Sequence, residues 1–359
     1  MTVPAALLPL VDPAAAGAVV AWSRGRAVTG HEFEAAAATL AARLPAARHA
    51  VNLCRDRYSF ALGVAACALR GVLTLLPAAR TAAVLADLAA GHEDLLFLLD
   101  AQDSSGDLPG PLWRIDPPAL ASPAAAATSL ALPADQVVLR MYTSGTTGRP
   151  QAQDKRWGSL VRNRSGQAAR LREEGLPAAA LLGTVPAQHS YGFESTVLLA
   201  WAGAGALCDG QPLFPADVAA ALQALPRPRA LVSTPFHLRT MLDTPIDLPE
   251  VDFVLSATAP LDAALAHRVE TRLRAPLIEI YGATECGQLA TRRPTCAATW
   301  VAYDGVYITL DEWGHPLADS CQVGKRKRGA SCVPLLLATS DRGRARCLFR
   351  RVAATSRTS

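Results

Sequence analysis

The stretch from Met141 to Trp157 carries the residue types best suited to binding a polyanion. Four hydroxyl side chains and two glycines fall within six positions: Thr143, Ser144, Gly145, Thr146, Thr147 and Gly148. Glycines let backbone N–H groups approach a ligand closely, and hydroxyls donate further hydrogen bonds. The same composition is typical of a surface turn. It is not a Walker A loop, because no Gly-Lys-Ser/Thr sequence follows.

The elements around this loop alternate between short apolar runs and helical patterns. Before the loop, the sequence predicts strands at 17–22, 49–54, 72–76, 94–99 and 136–142, and helices at 31–44, 58–70 and 81–90. After it, a helix at 157–173 is followed by strands at 178–185, 204–207, 230–233, 251–256 and 277–281. Strands that alternate with helices of this length indicate βαβ units, so the predicted fold class is layered α/β with mostly parallel sheets. Residues 101–135 are predicted to be irregular.

Several predicted strands end in short polar segments, which lie at 143–148, 186–190, 256–260 and 281–285. In an open parallel sheet, ligands bind in the crevice at the carboxyl ends of the strands. We therefore expect these segments to face one crevice, although they are far apart in the sequence.

The composition is that of a globular protein with a large core. Its 359 residues are 50% hydrophobic and 18% charged, which is enough chain for two or three domains or subdomains. The net charge of +4 is uneven, because residues 321–359 hold ten basic side chains and one acid, Asp341. The rest of the chain is therefore mildly acidic.

The cysteines and the chain start suggest a reducing compartment. The eight cysteines show no Cys-x-x-Cys spacing, so neither a zinc site nor a redox motif is predicted. Isolated cysteines in a long chain are usually small apolar core residues. The first residues lack a basic region typical of a signal peptide, and no apolar run is long enough to span a bilayer. We expect a cytoplasmic protein with no membrane partner.

Two motifs resemble those of one known family. Tyr142 to Pro150, read as Tyr-Thr-Ser-Gly-Thr-Thr-Gly-Arg-Pro, resembles the phosphate-loop signature of the adenylate-forming superfamily. That superfamily includes acyl-CoA synthetases, nonribosomal peptide adenylation domains and luciferases. Tyr281 to Glu285, read as Tyr-Gly-Ala-Thr-Glu, resembles its second diagnostic motif. The run from Pro150 to Gly158 is similar to the small aryl or acyl ligases of aryl-polyene pigment clusters. The implied fold is the large N-terminal domain of this family, with a small distorted β subdomain.

The resemblance implies an ATP or AMP site. Its residues would be Thr143, Ser144, Gly145, Thr146, Thr147 and Gly148 of the first motif, and Tyr281, Gly282, Ala283 and Thr284 of the second. The tyrosine ring can stack on adenine, and the hydroxyl of Thr284 can reach the α-phosphate. Glu285, with Thr146, would hold Mg²⁺, a hard cation that prefers carboxylate and phosphate oxygens. The alternative for 281–285 is a strand-to-loop turn with an exposed acid.

Two further segments are assigned by the same resemblance. Ser256, Ala257 and Thr258 resemble the small residues that line the adenine and acyl site, where the family usually has glycines. Pro186 to Phe193 resembles the His/aromatic segment beside the acyl pocket, so His189 would border the carboxylate. His189 can also be a structural histidine, and Phe193 and Trp201 are predicted to fill the core.

The implied reaction joins a small carboxylic acid to a thiol. The acyl or aryl carboxylate attacks the α-phosphorus of Mg·ATP to give an acyl-adenylate and pyrophosphate. The acyl group then passes to coenzyme A or to the phosphopantetheine of an acyl carrier protein. The protein positions two anions and offsets their repulsion, with Thr284, Glu285 and His189 as the catalytic residues. The choice between the two thiols is open.

The sequence departs from the family pattern in three ways, which leave an alternative to this reaction open. Gln151 follows Pro150 where the family has lysine, and Lys155 or Arg156 would supply the missing cation. No Thr-Gly-Asp segment is present for the ribose; Asp304 and Asp311 are nearby but lack its context. The C-terminal lid domain has no counterpart in the tail. The alternative is a truncated, catalytically impaired relic that binds nucleotide or carrier protein.

The resemblance also sets the expected domains. Residues 1–290 would form the AMP-binding α/β domain, and 291–320 the start of a small β subdomain with an antiparallel hairpin at 300–314. Residues 321–359 are expected to be an atypical, disordered basic tail. A nucleic-acid or membrane arm is a lesser alternative for this tail, because its basic residues lack aromatic partners and amphipathic order.

Overall fold

The structure is a computed structural model, and it describes residues 5–101, 103, 107–120, 129–143 and 151–310, together with strand segments at 316–320, 327–328, 335–339 and 345–349. The strands of these segments form sheets of two, six, 11 and three strands. Most neighbouring strands inside the two large sheets are parallel, and helices connect them. The predicted α/β fold class is confirmed.

The strands in chain order are β1 (Leu7–Pro9), β2 (Val19–Ser23), β3 (Arg26–Thr29), β4 (His49–Asn52), β5 (Leu73–Leu76), β6 (Leu95–Asp100), β7 (Leu112–Ile115), β8 (Ala131–Pro133), β9 (Val137–Thr143), β10 (Gln151–Arg156), β11 (Ala179–Gly183), β12 (Gly205–Cys208), β13 (Arg229–Ser233), β14 (Phe253–Ser256), β15 (Leu277–Ala283), β16 (Gly287–Arg292), β17 (Thr299–Ala302), β18 (Val306–Leu310), β19 (Pro316–Ser320), β20 (Lys327–Arg328), β21 (Leu335–Thr339) and β22 (Ala345–Phe349).

The helices are α1 (Gly30–Arg43), α2 (Arg57–Leu69), α3 (Ala82–Gly91), α4 (Trp157–Glu173), α5 (Ser190–Gly192), α6 (Leu199–Trp201), α7 (Pro215–Ala224), α8 (Pro235–Asp243) and α9 (Ala263–Leu273). A π-helical segment, Phe193–Leu198, joins α5 to α6 as one continuous helix. Short 3₁₀ turns lie at Pro13–Ala15 and Pro117–Leu120.

The six-stranded sheet has the order β10-β9-β5-β4-β6-β7, and the 11-stranded sheet has the order β21-β22-β17-β16-β15-β14-β13-β11-β12-β2-β3. From β2 to β15 the larger sheet is parallel, and strands at both of its ends pair antiparallel. The hydrophobic character of the parallel strands fits this position, since β11 and β13 are buried at every residue.

Local sequence signals set the helix starts. The side chain of Thr29 accepts a hydrogen bond from the Glu32 backbone N–H, and Glu32 accepts from the Thr29 N–H, which completes a capping box. Thr29 is therefore the N-cap of α1. Asp56 and Asp262 cap α2 and α9, where each carboxylate accepts a hydrogen bond from a backbone N–H of the first turn.

A cluster of aromatic rings packs the helices between the two sheets. Trp201 is fully buried, and its ring centroid lies 5.5 Å from Phe33 and 6.2 Å from both Trp157 and Phe193. Phe193 and Trp201 therefore fill the core, as predicted. The described cysteines follow their prediction in part, since Cys54, Cys67 and Cys208 are buried. Within the described residues, no helix combines the length and the apolar character needed to cross a membrane.

The structure corrects four predictions of local structure. Strand β3 continues the turn at Arg24–Arg26, where no strand was predicted. Strands β7 and β8 lie within 101–135, predicted to be irregular, and β10 follows the glycine-rich loop directly. The predicted hairpin at 300–314 is wrong: β17 pairs with β16 and β22, and β18 pairs with β19. β17 thus joins the large sheet beside β16, the strand before it, while β18 belongs to the three-stranded sheet.

The tail from 321 onward is described only at β20, β21 and β22. The other residues of this tail lie outside the described residues, as does Asp311. The predictions of a disordered tail or of a nucleic-acid arm fall on those residues. The domain boundaries at 290 and 320 stay predictions.

Candidate functional site

The carboxyl ends of the parallel strands enclose a cavity of about 330 Å³. Its lining comes from the ends of β14 and β15, the start of β16, and the helix that follows β11. The lining residues are His189, Ser190, Tyr191, Glu194, Ala257, Thr258, Ile280, Gly282, Ala283, Thr284, Gly287 and Gln288. Three of the polar segments predicted to share a crevice therefore do so.

The structure brings together most of the predicted site residues that it describes. His189, Ala257, Thr258, Gly282, Ala283 and Thr284 all line the cavity. Glu285 follows directly in the chain and is half-buried. Tyr281 is half-buried and packs its ring against Trp300, with centroids 5.5 Å apart. Their predicted roles toward nucleotide and Mg²⁺ stay predictions.

The glycine-rich loop joins two paired strands. Thr143, at the end of β9, lies opposite Gln151 at the start of β10, and its hydroxyl donates to the Gln151 carbonyl over 3.4 Å. The loop itself, with Ser144, Gly145, Thr146, Thr147 and Gly148, lies outside the described residues. Its two flanks thus leave the sheet side by side.

Lys155 lies on β10, the strand after the first motif, and contacts the second motif. Its residue is 7% exposed, because Gln153 and Lys155 are the inward-facing positions of β10. The ammonium group donates a hydrogen bond to the backbone carbonyl of Thr284. The strand after the glycine-rich loop therefore supports the loop that carries Thr284 and Glu285. Lys155 as a nucleotide-binding cation stays a prediction.

At the end of β14, Ser256 has an unusual hydrogen-bonding state and Thr258 has an unusual backbone conformation. The Ser256 hydroxyl is fully buried and has no hydrogen-bond partner among the described residues. Thr258 has a φ of 80°, in the left-handed region that favours glycine. Backbone strain of this kind costs about 1–3 kcal/mol and clusters at functional sites. The positive φ explains why glycine suits this position.

His189 lies at the mouth of the cavity, where the residue keeps an exposed face. Partial burial of the imidazole, and then the positive charge of Arg80, lower the pKa of His189 below its usual value. The neutral ring is therefore favoured near pH 7. The neighbouring Gln188 donates to the Cys54 carbonyl, which joins this segment to the six-stranded sheet.

Glu194 is a buried acid of the cavity wall that the sequence analysis missed. The residue is 2% exposed and lies on the π-helical segment. One carboxylate oxygen accepts from the Ser190 hydroxyl over 2.6 Å, and the other accepts from the Gln288 backbone N–H over 3.1 Å. Burial raises the pKa of Glu194, an effect that the charge of Lys155 and these hydrogen bonds oppose.

A buried hydrogen-bond network continues behind Gln288. Its side-chain amide donates to the Ser195 hydroxyl over 2.8 Å, and its carbonyl accepts from the Tyr303 hydroxyl over 3.1 Å. Gln167 donates to the same Ser195 hydroxyl over 3.2 Å. The network ties α4, the π-helical segment and β16 together, and π-helical turns frequently occur at functional sites.

The residues present fit a nucleoside triphosphate with Mg²⁺. No group of three His, Cys, Asp or Glu side chains that could hold a metal by themselves occurs in the described residues. Mg²⁺ in phosphate sites, however, is commonly held by one or two carboxylates plus substrate phosphates, a set that Glu285 suits. The unpartnered Ser256 hydroxyl offers a further donor near the cavity.

The chain is similar to known acid-activating enzymes. The sequence profile of the AMP-binding enzyme family matches residues 13–319. A 4-coumarate–CoA ligase of Rhodobacter capsulatus is 35% identical over 166 residues, which are 45% of this chain and 41% of that protein. A 4-chlorobenzoate–CoA ligase of an Arthrobacter species is 30% identical over 154 residues, or 40% and 28% of the two chains. The matches thus span less than half of each relative.

Solved structures share the fold. The o-succinylbenzoate CoA synthetase MenE from Bacillus subtilis, bound to a product analogue, superimposes with a TM-score of 0.71 at 19% identity. The match covers 93% of this chain and 76% of that one. ATP-bound MatB from Rhodopseudomonas palustris gives a TM-score of 0.70 at 18% identity, with the same coverages. At these identities the likeness concerns the fold.

Proposed function

The chain belongs to the AMP-binding enzyme family, and we propose that it activates a small carboxylic acid as an acyl-adenylate with ATP and transfers the acyl group to coenzyme A. One observation carries the proposal: segments far apart in sequence converge on one cavity, which Thr284, His189 and Thr258 line together, and Lys155 holds the Thr284 carbonyl. The cavity lies at the carboxyl ends of parallel strands, where α/β proteins bind their ligands.

In the first step, a carboxylate oxygen of the acid attacks the α-phosphorus of ATP, and the bond to pyrophosphate breaks. The Thr284 hydroxyl donates to the α-phosphate, where negative charge develops. His189 is predominantly neutral, so one ring nitrogen can donate to the acid's carboxylate while the ring adds no charge. The hydrogen bond from Lys155 to the Thr284 carbonyl keeps the hydroxyl in place.

Glu285 would hold Mg²⁺, which when bound neutralises phosphate charge. The rest of the site excludes water and fixes the two anions in contact, which is the main catalytic task for this reaction. Thr143 and the glycine-rich loop that follows it would wrap the triphosphate. Thr146 stays our proposed second metal ligand on sequence grounds.

In the second step, a thiolate attacks the acyl carbon, a thioester forms and AMP leaves. We favour coenzyme A as the thiol because two relatives that this chain matches are named as CoA ligases. A carrier-protein phosphopantetheine presents the same thiol chemistry and is the alternative acceptor. In either case the thiol proton passes to solvent or to a base at the mouth of the cavity.

The test is acid-dependent exchange of labelled pyrophosphate into ATP, followed by mass spectrometry of thioester formation with coenzyme A. We expect exchange with at least one aryl acid, and a loss of about 100-fold or more in Glu285→Gln, as for other groups that stabilise transition-state charge. Exchange without thioester formation would favour the carrier protein. Nucleotide binding without exchange for any acid would favour the impaired relic and contradict the proposal.

A further inference from the structure

The cavity has an exposed mouth and a buried floor of different chemistry. His189, Thr258 and Gly282 at the mouth are exposed. The floor is formed by apolar and small residues, among them Tyr191, Ala257, Ile280 and Gly287, all of which are buried. Glu194 and Gln288, at 2% and 3% exposure, are the polar residues of this buried end. The proposed adenylation uses the mouth and leaves Glu194 without a role.

The carboxyl group of Glu194 has acceptor capacity beyond its described partners. It accepts one hydrogen bond at each oxygen, from the Ser190 hydroxyl and from the Gln288 N–H. A carboxylate can accept about four. The ammonium of Lys155 acts on it electrostatically, while its hydrogen bond goes to the Thr284 carbonyl. A group with spare acceptor capacity thus lines the buried end of the cavity.

An occupant that matches this floor must bring a hydrogen-bond donor. A hydrocarbon tail would bury the carboxyl group further and offer it no hydrogen bond, which is costly for a polar group. A hydroxyl group would donate one. Ala257 and Gly287, which are small, and the ring of Tyr191, which is flat, line the same cavity. The cavity volume of about 330 Å³ is at the lower end for ligand sites, which suits a single ring.

We propose that Glu194 determines substrate specificity by accepting a hydrogen bond from a ring hydroxyl, so that the acid activated here is a hydroxyaryl carboxylic acid. This inference rests on the proposed function for the orientation of the substrate, with its carboxylate at His189 and Thr284. The competing interpretation is that Glu194 is structural and only links Ser190 to β16. The two differ in whether selectivity among acids depends on the carboxyl group.

The experiment compares acids that differ only in the donor. The dissociation constants of 4-hydroxybenzoate, benzoate and 4-methoxybenzoate, and of 4-hydroxycinnamate and cinnamate, are measured by calorimetry. The rate constants kcat/KM of pyrophosphate exchange are measured for the same acids. We expect the hydroxy acids to be favoured about 30-fold or more, because sites built to bond a substrate hydroxyl reject analogues that lack it.

The variants test the carboxyl group itself. Glu194→Met keeps a similar volume without an acceptor, and we expect the preference to vanish. Glu194→Gln keeps one acceptor oxygen and should retain part of the preference. Glu93→Gln, an exposed acid on the same chain, is the matched control and should behave like the parent protein. A structural role alone would lower the thermal stability of the Glu194 variants and leave their selectivity unchanged.

The outcomes separate this inference from the proposed function. Exchange with hydroxy and plain acids at equal rates overturns the inference and leaves the function intact. A calorimetric preference for hydroxy acids without any exchange sustains the inference and contradicts the function. If no acid binds, both are overturned. Should Glu194→Met fail to fold, the parent preference and its partial loss in Glu194→Gln decide the matter.

Discussion

Two buried cations in this chain are held in different ways. Arg57 is 1% exposed, and its guanidinium donates to the carbonyls of Gly183 and Val185 over 2.9 and 3.0 Å and to the Thr196 hydroxyl over 3.1 Å. Lys155 donates to one carbonyl, that of Thr284, and lies beside a carboxyl group and a cavity. Burial lowers the pKa of Arg57 to about 10, so it stays charged at neutral pH.

The difference separates a role in folding from a role in the site. The partners of Arg57 are neutral groups of β11, the segment after it and the π-helical segment, so the cation joins α2 to the large sheet. Lys155 instead donates a hydrogen bond to Thr284 of the second motif, and its charge lowers the pKa of Glu194 at the buried end of the cavity. We expect substitutions of Arg57 to act on stability and substitutions of Lys155 to act on activity.

The largest expected effect is that of Arg57→Met. It removes the donor for two buried carbonyls and one buried hydroxyl, and unsatisfied acceptors of this kind cost about 1–3 kcal/mol each. We therefore expect the free energy of unfolding to fall by roughly 3 kcal/mol or more. Chemical denaturation followed by circular dichroism measures this change.

Arg268→Met is the matched control, because its ion pair with Asp243 is exposed at both ends. Exposed pairs contribute about 0–1 kcal/mol, so the control should unfold nearly as the parent protein does. Equal losses for the two variants would show that burial of the Arg57 guanidinium adds nothing to the fold. Gly183→Ala is an independent probe, since a Cβ there would lie 2.5 Å from the guanidinium Nη1.

Lys155→Met should have the next largest effect, on catalysis. It leaves the Thr284 carbonyl without its donor, and the hydroxyl of that residue is the proposed ligand of the α-phosphate. We expect kcat/KM for pyrophosphate exchange to fall about 30-fold, equivalent to about 2 kcal/mol, with a smaller effect on unfolding. Steady-state exchange and a denaturation curve on the same preparation separate the two.

Arg156→Met is the control for this substitution. Arg156 is the adjacent exposed cation, and it donates to the Asp135 carbonyl over 2.6 Å, on the outer side of β10. Both residues were predicted as replacements for the lysine absent at position 151. A larger loss of exchange in Arg156→Met than in Lys155→Met would reverse our assignment of the positioning role.

The sequence predicted the parts of the fold that have a local signal. The bounds of α4 match the predicted helix at 157–173, because helical periodicity is a signal that acts over a few residues. Strand β10 was missed because its buried positions are Gln153 and Lys155, so the apolar alternation that marks a strand is absent. The hydrogen-bond partner of Lys155 is the carbonyl of Thr284, more than a hundred residues later.

The candidate site was predicted in the same uneven way. His189, Thr258 and Thr284 follow strand ends, and the rule for parallel sheets places such residues in one crevice. Glu194 carries no such signal, because an acid near the start of a helix usually faces solvent and favours the helix dipole. The π-helical segment and Gln288, 94 residues away, enclose it. One available signal was the polar run Glu194 to Thr196 inside an otherwise apolar helix.

The smallest predicted effect concerns the pH dependence of stability, and it probes both the cavity floor and Lys155. Burial raises the pKa of Glu194, so the folded state favours the protonated acid. Stability from this group is therefore present below the unfolded pKa and is lost as pH rises through the folded pKa. Glu194→Gln cannot ionise, so its stability relative to the parent should increase as the pH rises from 4.5 to 8.

Thermal melts of Glu194→Gln and of the parent protein across this pH range measure the difference in stability between them. Other acids with a raised pKa, such as Glu34 and Asp56, contribute equally to both proteins, so their contributions cancel. The charge of Lys155 opposes the rise in the pKa of Glu194. The same Glu194→Gln comparison made in a Lys155→Met background should therefore show a larger pH dependence. An identical pH dependence in both backgrounds would mean that the charge of Lys155 does not affect the pKa of Glu194. Lys155 would then be a structural cation, as Arg57 is.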